Sequence, residues 1–268
     1  MPRPTFDFQL IQPDGPIAQY IQAIWVASVS PTASTITKPL FSDGACGAFF
    51  NLGSTIYYKG QPCEQGAFWM PIKHHAEFID LTPSCQLVGF RFQAGVPASV
   101  LRPLQPVFYH EHSLARHEQI QTDAYPLPFA DIFRQLLGCV QQGQSALLRE
   151  LQNWLAQNID VQADVHRHIS QAVSVMDPLM EMHHLNTLTA LSLRQLERRF
   201  KAQVGMTPKY YQRLLRIRSV IAAIKQDPMI SLAELAIETG YSDQAHMTRE
   251  FRQLAKMTPK QYQKTKTD

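Results

Sequence analysis

Apolar residues in the carboxy-terminal part of the chain recur with the period of a helix, and they do so in two rounds. Between Ser231 and Tyr262, Leu232, Leu235 and Ala236 form the apolar side of a short helix, while Met247, Phe251 and Leu254 recur at i, i+4 and i+7 on the next. Ser231 with Glu234 three places on reads as a capping box that opens the first helix. Gly240 can take the left-handed conformation that ends a helix sharply, and Ser242 is the expected cap of the second. The predicted product is a helix, a tight turn and a helix that turns Asp243, Gln244, His246, Arg249 and Arg252 outward. Upstream, Ser192 to Lys201 corresponds to Ser242 to Arg252, and Met206-Thr207-Pro208-Lys209 recurs unchanged as Met257-Thr258-Pro259-Lys260. Both copies place Thr as an N-cap and Pro as the first helical residue, where its missing N–H costs nothing. Pro208 to Lys225 carries Tyr211, Leu214, Leu215, Arg218 and Ile221 near helical spacing, which predicts one long helix joining two helix-turn-helix units.

Up to about residue 122 the pattern is different. Short apolar or aromatic runs, Ala23–Val26, Ala48–Leu52, Thr55–Tyr58, Ala67–Met70, Glu77–Leu81 and Leu87–Phe92, alternate with Gly, Pro, Ser and Asp turns. Strands punctuated this often predict a small barrel or sandwich. From Tyr125 to about Asp160 the period shifts to 3.6. Phe129, Ile132, Phe133, Leu136, Leu137 and Val140 form one stripe, and Leu147, Leu148, Leu151, Trp154 and Leu155 form another, the mark of a helical hairpin. The expected fold is α+β: a β-rich domain over 1–122, a helical hairpin over 123–160 and an all-α domain over 161–268. The two stripes can pack on the β domain of the same chain. Asn158 to Asp164 reads as the linker, and His166 to Met176, with Ile169, Val173 and Met176 inward, as the first helix of the last domain.

A length of 268 residues fits two domains, and 45% hydrophobic residues is ordinary for a chain with a full core. The net charge of +3 says little until the chain is divided. Residues 178–268 carry 15 Lys+Arg against 8 Asp+Glu, net +7, and residues 1–177 carry 10 against 14, net −4. Positive charge therefore sits on the part with the paired helices, as attraction to phosphates requires. Cys46, Cys63, Cys85 and Cys139 form no Cys-x-x-Cys pair, and a sensing thiol would need a low pKa and exposure. Neither a signal-peptide apolar region nor an 18-residue apolar span is present, which predicts a cytoplasmic protein without a membrane partner. Catalytic signatures are also missing: no nucleophile elbow, phosphate loop, paired-His zinc motif or dinucleotide fingerprint. The chain is not expected to be an enzyme.

Gly240-Tyr241-Ser242-Asp243-Gln244, Arg249-Glu250-Phe251, Phe200 with Gly205-Met206-Thr207-Pro208, and Arg213 to Arg218 together resemble the AraC/XylS family of bacterial transcription regulators. The resemblance implies a carboxy-terminal domain of two helix-turn-helix units on a connecting helix, dimerisation through the helical hairpin, double-stranded promoter DNA as partner and RNA polymerase as a further candidate. The sequence departs from the family pattern at Ala190, where a turn Gly is usual, at Asn186, where a small Ala is usual, and at Lys256, where the first copy has Gly205. A non-Gly residue held left-handed costs on the order of 1 kcal/mol. Shorter words, Ser42-Asp43-Gly44, Phe50-Asn51-Leu52-Gly53 and Val88 to Phe92, resemble the cupin-like amino-terminal domain of a subgroup of the family, which implies a signal-sensing role and a small-molecule effector.

On this reading Arg194, Glu197 and Arg198 in the first unit and Gln244, His246 and Arg249 in the second are the candidate base readers. Arg can pair bidentately with guanine and Gln with adenine. Lys201, Thr207, Lys209, Arg252, Thr258 and Lys260 are the candidate phosphate contacts, helped by helix N-termini. The bland alternative for the arginines is a surface ion pair, Arg194 with Glu197 or Arg249 with Glu250. Trp25, Phe49, Tyr57, Trp69, His74, Phe90 and Arg91 are candidate effector-lining residues, against the simpler view that the aromatics only fill the core. His110-Glu111-His112 with His117-Glu118 resembles a metal-binding cupin spacing, but the distance to the acid is off, and His74-His75 would point to opposite faces of a strand. No metal or other cofactor is expected. The rival reading is a cupin-like metal-binding or interaction protein whose basic domain docks an acidic partner.

Overall fold

A computed structural model describes residues 5–96, 100–101, 119–120, 128–161 and 167–267. The histidine-rich stretch His110 to Glu118, considered above for metal, lies outside them. The fold is α+β, in two compact units. Unit 1 comprises Met1–Lys38, Ala45–Pro71 and Phe78–Val165; unit 2 comprises Pro39–Gly44, Ile72–Glu77 and His166–Asp268.

Unit 1 holds the strands β1 (Phe6–Ile11), β2 (Ile21–Val29), β3 (Ile36–Leu40), β4 (Gly47–Asn51), β5 (Ile56–Tyr58), β6 (Gln61–Cys63), β7 (Gly66–Met70), β8 (Glu77–Leu81), β9 (Gln86–Phe92) and β10 (Gln119–Ile120), the ends of β3 and β8 running into unit 2. They form a six-stranded sheet in the order β1-β2-β9-β4-β7-β10 and a four-stranded sheet in the order β3-β8-β5-β6. All six apolar runs read from the sequence coincide with strands. The strands that pattern alone passed over include β3, with Pro39, and β6, with Pro62. Both are sheet edges, where a residue that cannot donate to the ladder is tolerated.

Antiparallel register puts Ile24, Ala48, Phe50, Ala67, Trp69, Val88 and Phe90 on one face of the larger sheet. The hairpin of α1 (Pro128–Cys139) and α2 (Gln144–Asn158) packs on this sheet. Phe129 meets Phe50 edge-on at 5.7 Å and Trp154 at 6.0 Å. Phe129, Ile132, Leu136, Leu147, Leu148, Leu151, Trp154 and Leu155 are all buried. Each large apolar side chain so buried contributes roughly 1.5–3 kcal/mol. Packing on the β domain of its own chain accounts for the second stripe and for Phe129, Ile132 and Leu136 of the first, whereas Leu137 is exposed.

Unit 2 is helical: α3 (Arg167–Val175), α4 (Met182–Thr189), α5 (Leu193–Val204), α6 (Pro208–Gln226), α7 (Leu232–Glu238), α8 (Gln244–Ala255) and α9 (Pro259–Thr267). Its core combines Leu185, Leu196, Phe200 and Val204 with Leu214, Ile217, Val220, Ile224, Leu235, Met247, Phe251, Leu254 and Tyr262, all buried. Two short segments remote in sequence complete the unit. Phe41 packs edge-on against Tyr262 at 5.4 Å. The Ala76 N–H donates to the Leu254 carbonyl near the end of α8 at 2.6 Å, and the Tyr210 hydroxyl donates to the His74 carbonyl at 2.9 Å.

Candidate nucleic-acid interface

The helices α4 and α5 form one helix-turn-helix, α7 and α8 another, and the 19-residue α6 connects them. Their local bonding is repeated almost atom for atom. Thr189 Oγ1 donates to the Leu185 carbonyl at the end of α4 (2.7 Å), and Thr239 Oγ1 to the Leu235 carbonyl at the end of α7 (2.6 Å). After each unit a Thr caps the next helix: Thr207 accepts from the Tyr210 N–H, and Thr258 accepts from the Gln261 N–H at 3.2 Å. Ser231 accepts from the Glu234 N–H, but only this half of the expected capping box is formed.

The second helices differ at their caps. Ser192 opens α5 with a full capping box, accepting from the Gln195 N–H while Gln195 Oε1 accepts from the Ser192 N–H. The expected cap of α8 was Ser242; the structure corrects this to Asp243, whose carboxylate accepts from the His246 N–H at 2.6 Å. A carboxylate at this place also meets the positive end of the helix, and the Ser242 hydroxyl lies instead 3.2 Å from His246 Nδ1. The hydrogen bond from His246 N–H is the main reason that the Asp243 carboxyl is held below the usual carboxylate range, with Arg249 adding to it. Leu185 and Thr189 thus match Leu235 and Thr239, whereas Ser192 and Phe200 match Asp243 and Phe251. The second turn is one residue longer, and that residue lets Tyr241 reach the interior.

This alignment pairs Arg198 with Arg249 and Lys201 with Arg252. It sets Arg194 and Glu197 opposite Ala245 and Thr248. Arg194, Glu197, Arg198, Gln244 and Arg249 are exposed, and His246 is half-buried with its ring edge-on to Tyr241 at 5.3 Å. Lys201, Lys209, Arg252 and Lys260 are also exposed. Thr207 and Thr258 lie at the starts of α6 and α9, each with its side-chain oxygen engaged in capping. Gly240, at φ +82°, occupies the left-handed turn position, and a Cβ there would come within 2.3 Å of Leu179 Cδ2. Ala190 and Lys256 are left-handed as well, at φ 52° and 59°.

Glu250 does not pair with Arg249. It is buried, and its Oε2 accepts from Arg213 Nε at 2.7 Å while its Oε1 accepts from the Tyr241 hydroxyl at 2.9 Å. Arg216 Nε lies 3.5 Å from Oε1, with its guanidinium 5.3 Å from the Tyr241 ring centre. Burial first, and the Glu250 charge second, push the Tyr241 phenol well above its ordinary pKa. Sequence reasoning missed this group, although a signal exists: Glu250 falls on the stripe set by Met247, Phe251 and Leu254.

The candidate effector residues do not converge. Trp25, Phe49 and Arg91 lie on one face of the large sheet, and Trp69 and Phe90 on the opposite face. Phe49 stacks on Phe68 at 4.9 Å, and Arg91 Nη2 donates to the Ala45 carbonyl. Tyr57 is exposed in the smaller sheet, and His74 belongs to unit 2, where its ring meets Tyr210. Cys63 and Cys85 are buried, and burial pushes both thiols up, Cys85 to about 11, away from the reactive thiolate.

A family model described as a helix-turn-helix domain matches residues 185–265. These residues therefore form a helix-turn-helix domain, the class that the paired units and their connector define. The HTH-type transcriptional regulator MtrA of Neisseria gonorrhoeae is 32% identical over 74 residues, 28% of this chain and 24% of that protein. The probable transcriptional regulator LumQ of Photobacterium leiognathi is 29% identical over 101 residues, 37% of each. The chain thus spans between 24% and 37% of the length of these relatives. A solved structure of ToxT from Vibrio cholerae aligns over 99% of this chain and 100% of that one, at 10% identity and a TM-score of 0.47.

Proposed function

We propose that the protein is a sequence-specific DNA-binding transcription regulator whose helices α5 and α8 enter successive major grooves of one duplex. The observation that carries this reading is the repetition of one bonded framework around two amphipathic helices, each with exposed cations on its outer side, Arg198 and Lys201 in one and Arg249 and Arg252 in the other. A helix so exposed can offer arginine to guanine O6 and N7, while Lys201, Lys209, Arg252 and Lys260 neutralise phosphates. Joined by one continuous helix, the two readers suit boxes about 10 bp apart, one turn of DNA.

Selection from a random DNA pool by the purified full-length protein tests the proposal. Two short boxes one helical turn apart are expected; a single box would sink the two-groove reading, and recovery of no preferred sequence would sink DNA reading altogether. Arg249→Ala should then cost about 1–3 kcal/mol of specific binding and relax one base position, whereas Lys260→Ala should weaken all sequences alike and flatten the salt slope.

A further inference from the structure

We propose that Glu250, which does not itself face DNA, is the positioning residue that fixes the rotation of α8 and so sets what the second box can be. The inference rests on the DNA-reading function proposed above. Glu250 sits on the inner stripe of α8, and its partners come from two other elements: Arg213 and Arg216 from α6, and Tyr241 from the turn. Arg213 extends the grip, donating from Nη2 to Gln253 Oε1 at 2.6 Å one turn of α8 further on and lying over the Tyr210 ring at 5.3 Å.

Apolar packing through Met247, Phe251 and Leu254 holds α8 against the core, but such contacts are not directional. A buried carboxylate gripped by a planar guanidinium and a phenol admits one rotation, and buried ion pairs are better evidence of geometry than of net stability. The scale of the effect follows from helix dimensions. A side chain ends about 6 Å from the helix axis, so a 20° rotation moves its tip by about 2 Å, more than a bidentate contact to a base tolerates. Arg249 is the residue immediately before Glu250. Its guanidinium therefore inherits whatever rotation Glu250 imposes. The equivalent of Glu250 in the first unit is Arg199, half-buried and a cation, so this position of α5 offers no buried carboxylate for a clamp.

The test compares wild type with Glu250→Gln, both full-length, by site selection, with cooperative melting as the check on folding. Gln keeps an acceptor for Arg213 while removing the charge that faces Arg216 and the second acceptor oxygen that takes the Tyr241 hydroxyl. Preference at the second box should fall roughly tenfold, with the first box and the salt slope unchanged. A lower melting temperature with second-box preferences intact would make Glu250 a purely structural residue and overturn the proposal. Should Glu250→Gln fail to melt cooperatively, Arg213→Lys retains the charge but loses the fork, and must show the same loss confined to the second box; an unaltered second box overturns the inference. A wild-type protein that selects no sequence fails at the earlier step and takes both readings down, whereas failure of the variants alone leaves DNA reading intact.

Discussion

The two helix-turn-helix units share a buried Thr, a buried Phe and a Thr cap on the helix that follows, yet they are held in different ways. In the second, an extra turn residue brings Tyr241 inside, and Glu250 joins it to Arg213 and Arg216 of α6. In the first, Arg199 occupies the Glu250 position and the turn passes through Ala190 in a conformation that suits glycine. Duplicating a fold does not duplicate its constraints. One buried charge is enough to make one copy rotationally fixed and leave the other dependent on apolar fit.

The largest expected effect sharpens that contrast. Glu250→Ala should destabilise the protein by about 3 kcal/mol, the lower end for breaking a buried ion pair, because the Arg213 and Arg216 side chains keep about a fifth of their exposure. Arg199→Ala should change stability by less than about 0.5 kcal/mol. Denaturant unfolding of both variants checks this, and equal losses would erase the asymmetry.

A smaller effect concerns the left-handed residues. Ala190→Gly and Lys256→Gly should each stabilise by up to about 1 kcal/mol, since both native residues are held at positive φ. Gly240→Ala should destabilise, because φ +82° is a conformation that a side chain strains. Melting temperatures that fall in the two glycine variants would show that the turns are not strained.

The smallest effect separates the caps by pH. Asp243 has a lowered folded-state pKa, so its contribution is complete above the ordinary value of 3.8 and is lost as pH falls below that value through the folded one. Ser192 has no such titration. Amide protection at His246 should therefore decline in acid while protection at Gln195 does not. An Asp243→Asn variant should remove the difference; a parallel decline at both amides would refute it.

The contrast between units also explains what was legible in the sequence. Period and punctuation located six strands, both hairpin helices and the paired units, because one-sided burial leaves its mark on every element that has it. The strands with proline were missed because proline argues against a strand except at an edge, and edge position is a property of the sheet. At the α8 cap, Ser242 and Asp243 are both good N-caps, and only the longer turn decides between them. Glu250 looked like a surface residue next to Arg249. Its partners lie on α6 and in the turn, and their approach depends on tertiary packing rather than on local spacing. The effector residues failed to converge for a related reason: strand parity sends Trp25 and Trp69 to opposite faces, and the cross-strand register that decides this is absent from any single run.

The helical unit is not one piece of chain. The Leu254 carbonyl, the Tyr210 hydroxyl and the Tyr262 ring are completed by Ala76, His74 and Phe41, which precede the first helix of the unit by a third of the length of the protein or more. A modular view of such proteins treats a DNA-reading half as something that can be cut at a linker and grafted onto another partner. Here a cut before residue 166 would carry away all the helices and leave two patches of their packing behind. Inheritance by domain shuffling would need the loops to travel too, or the recipient to supply equivalents.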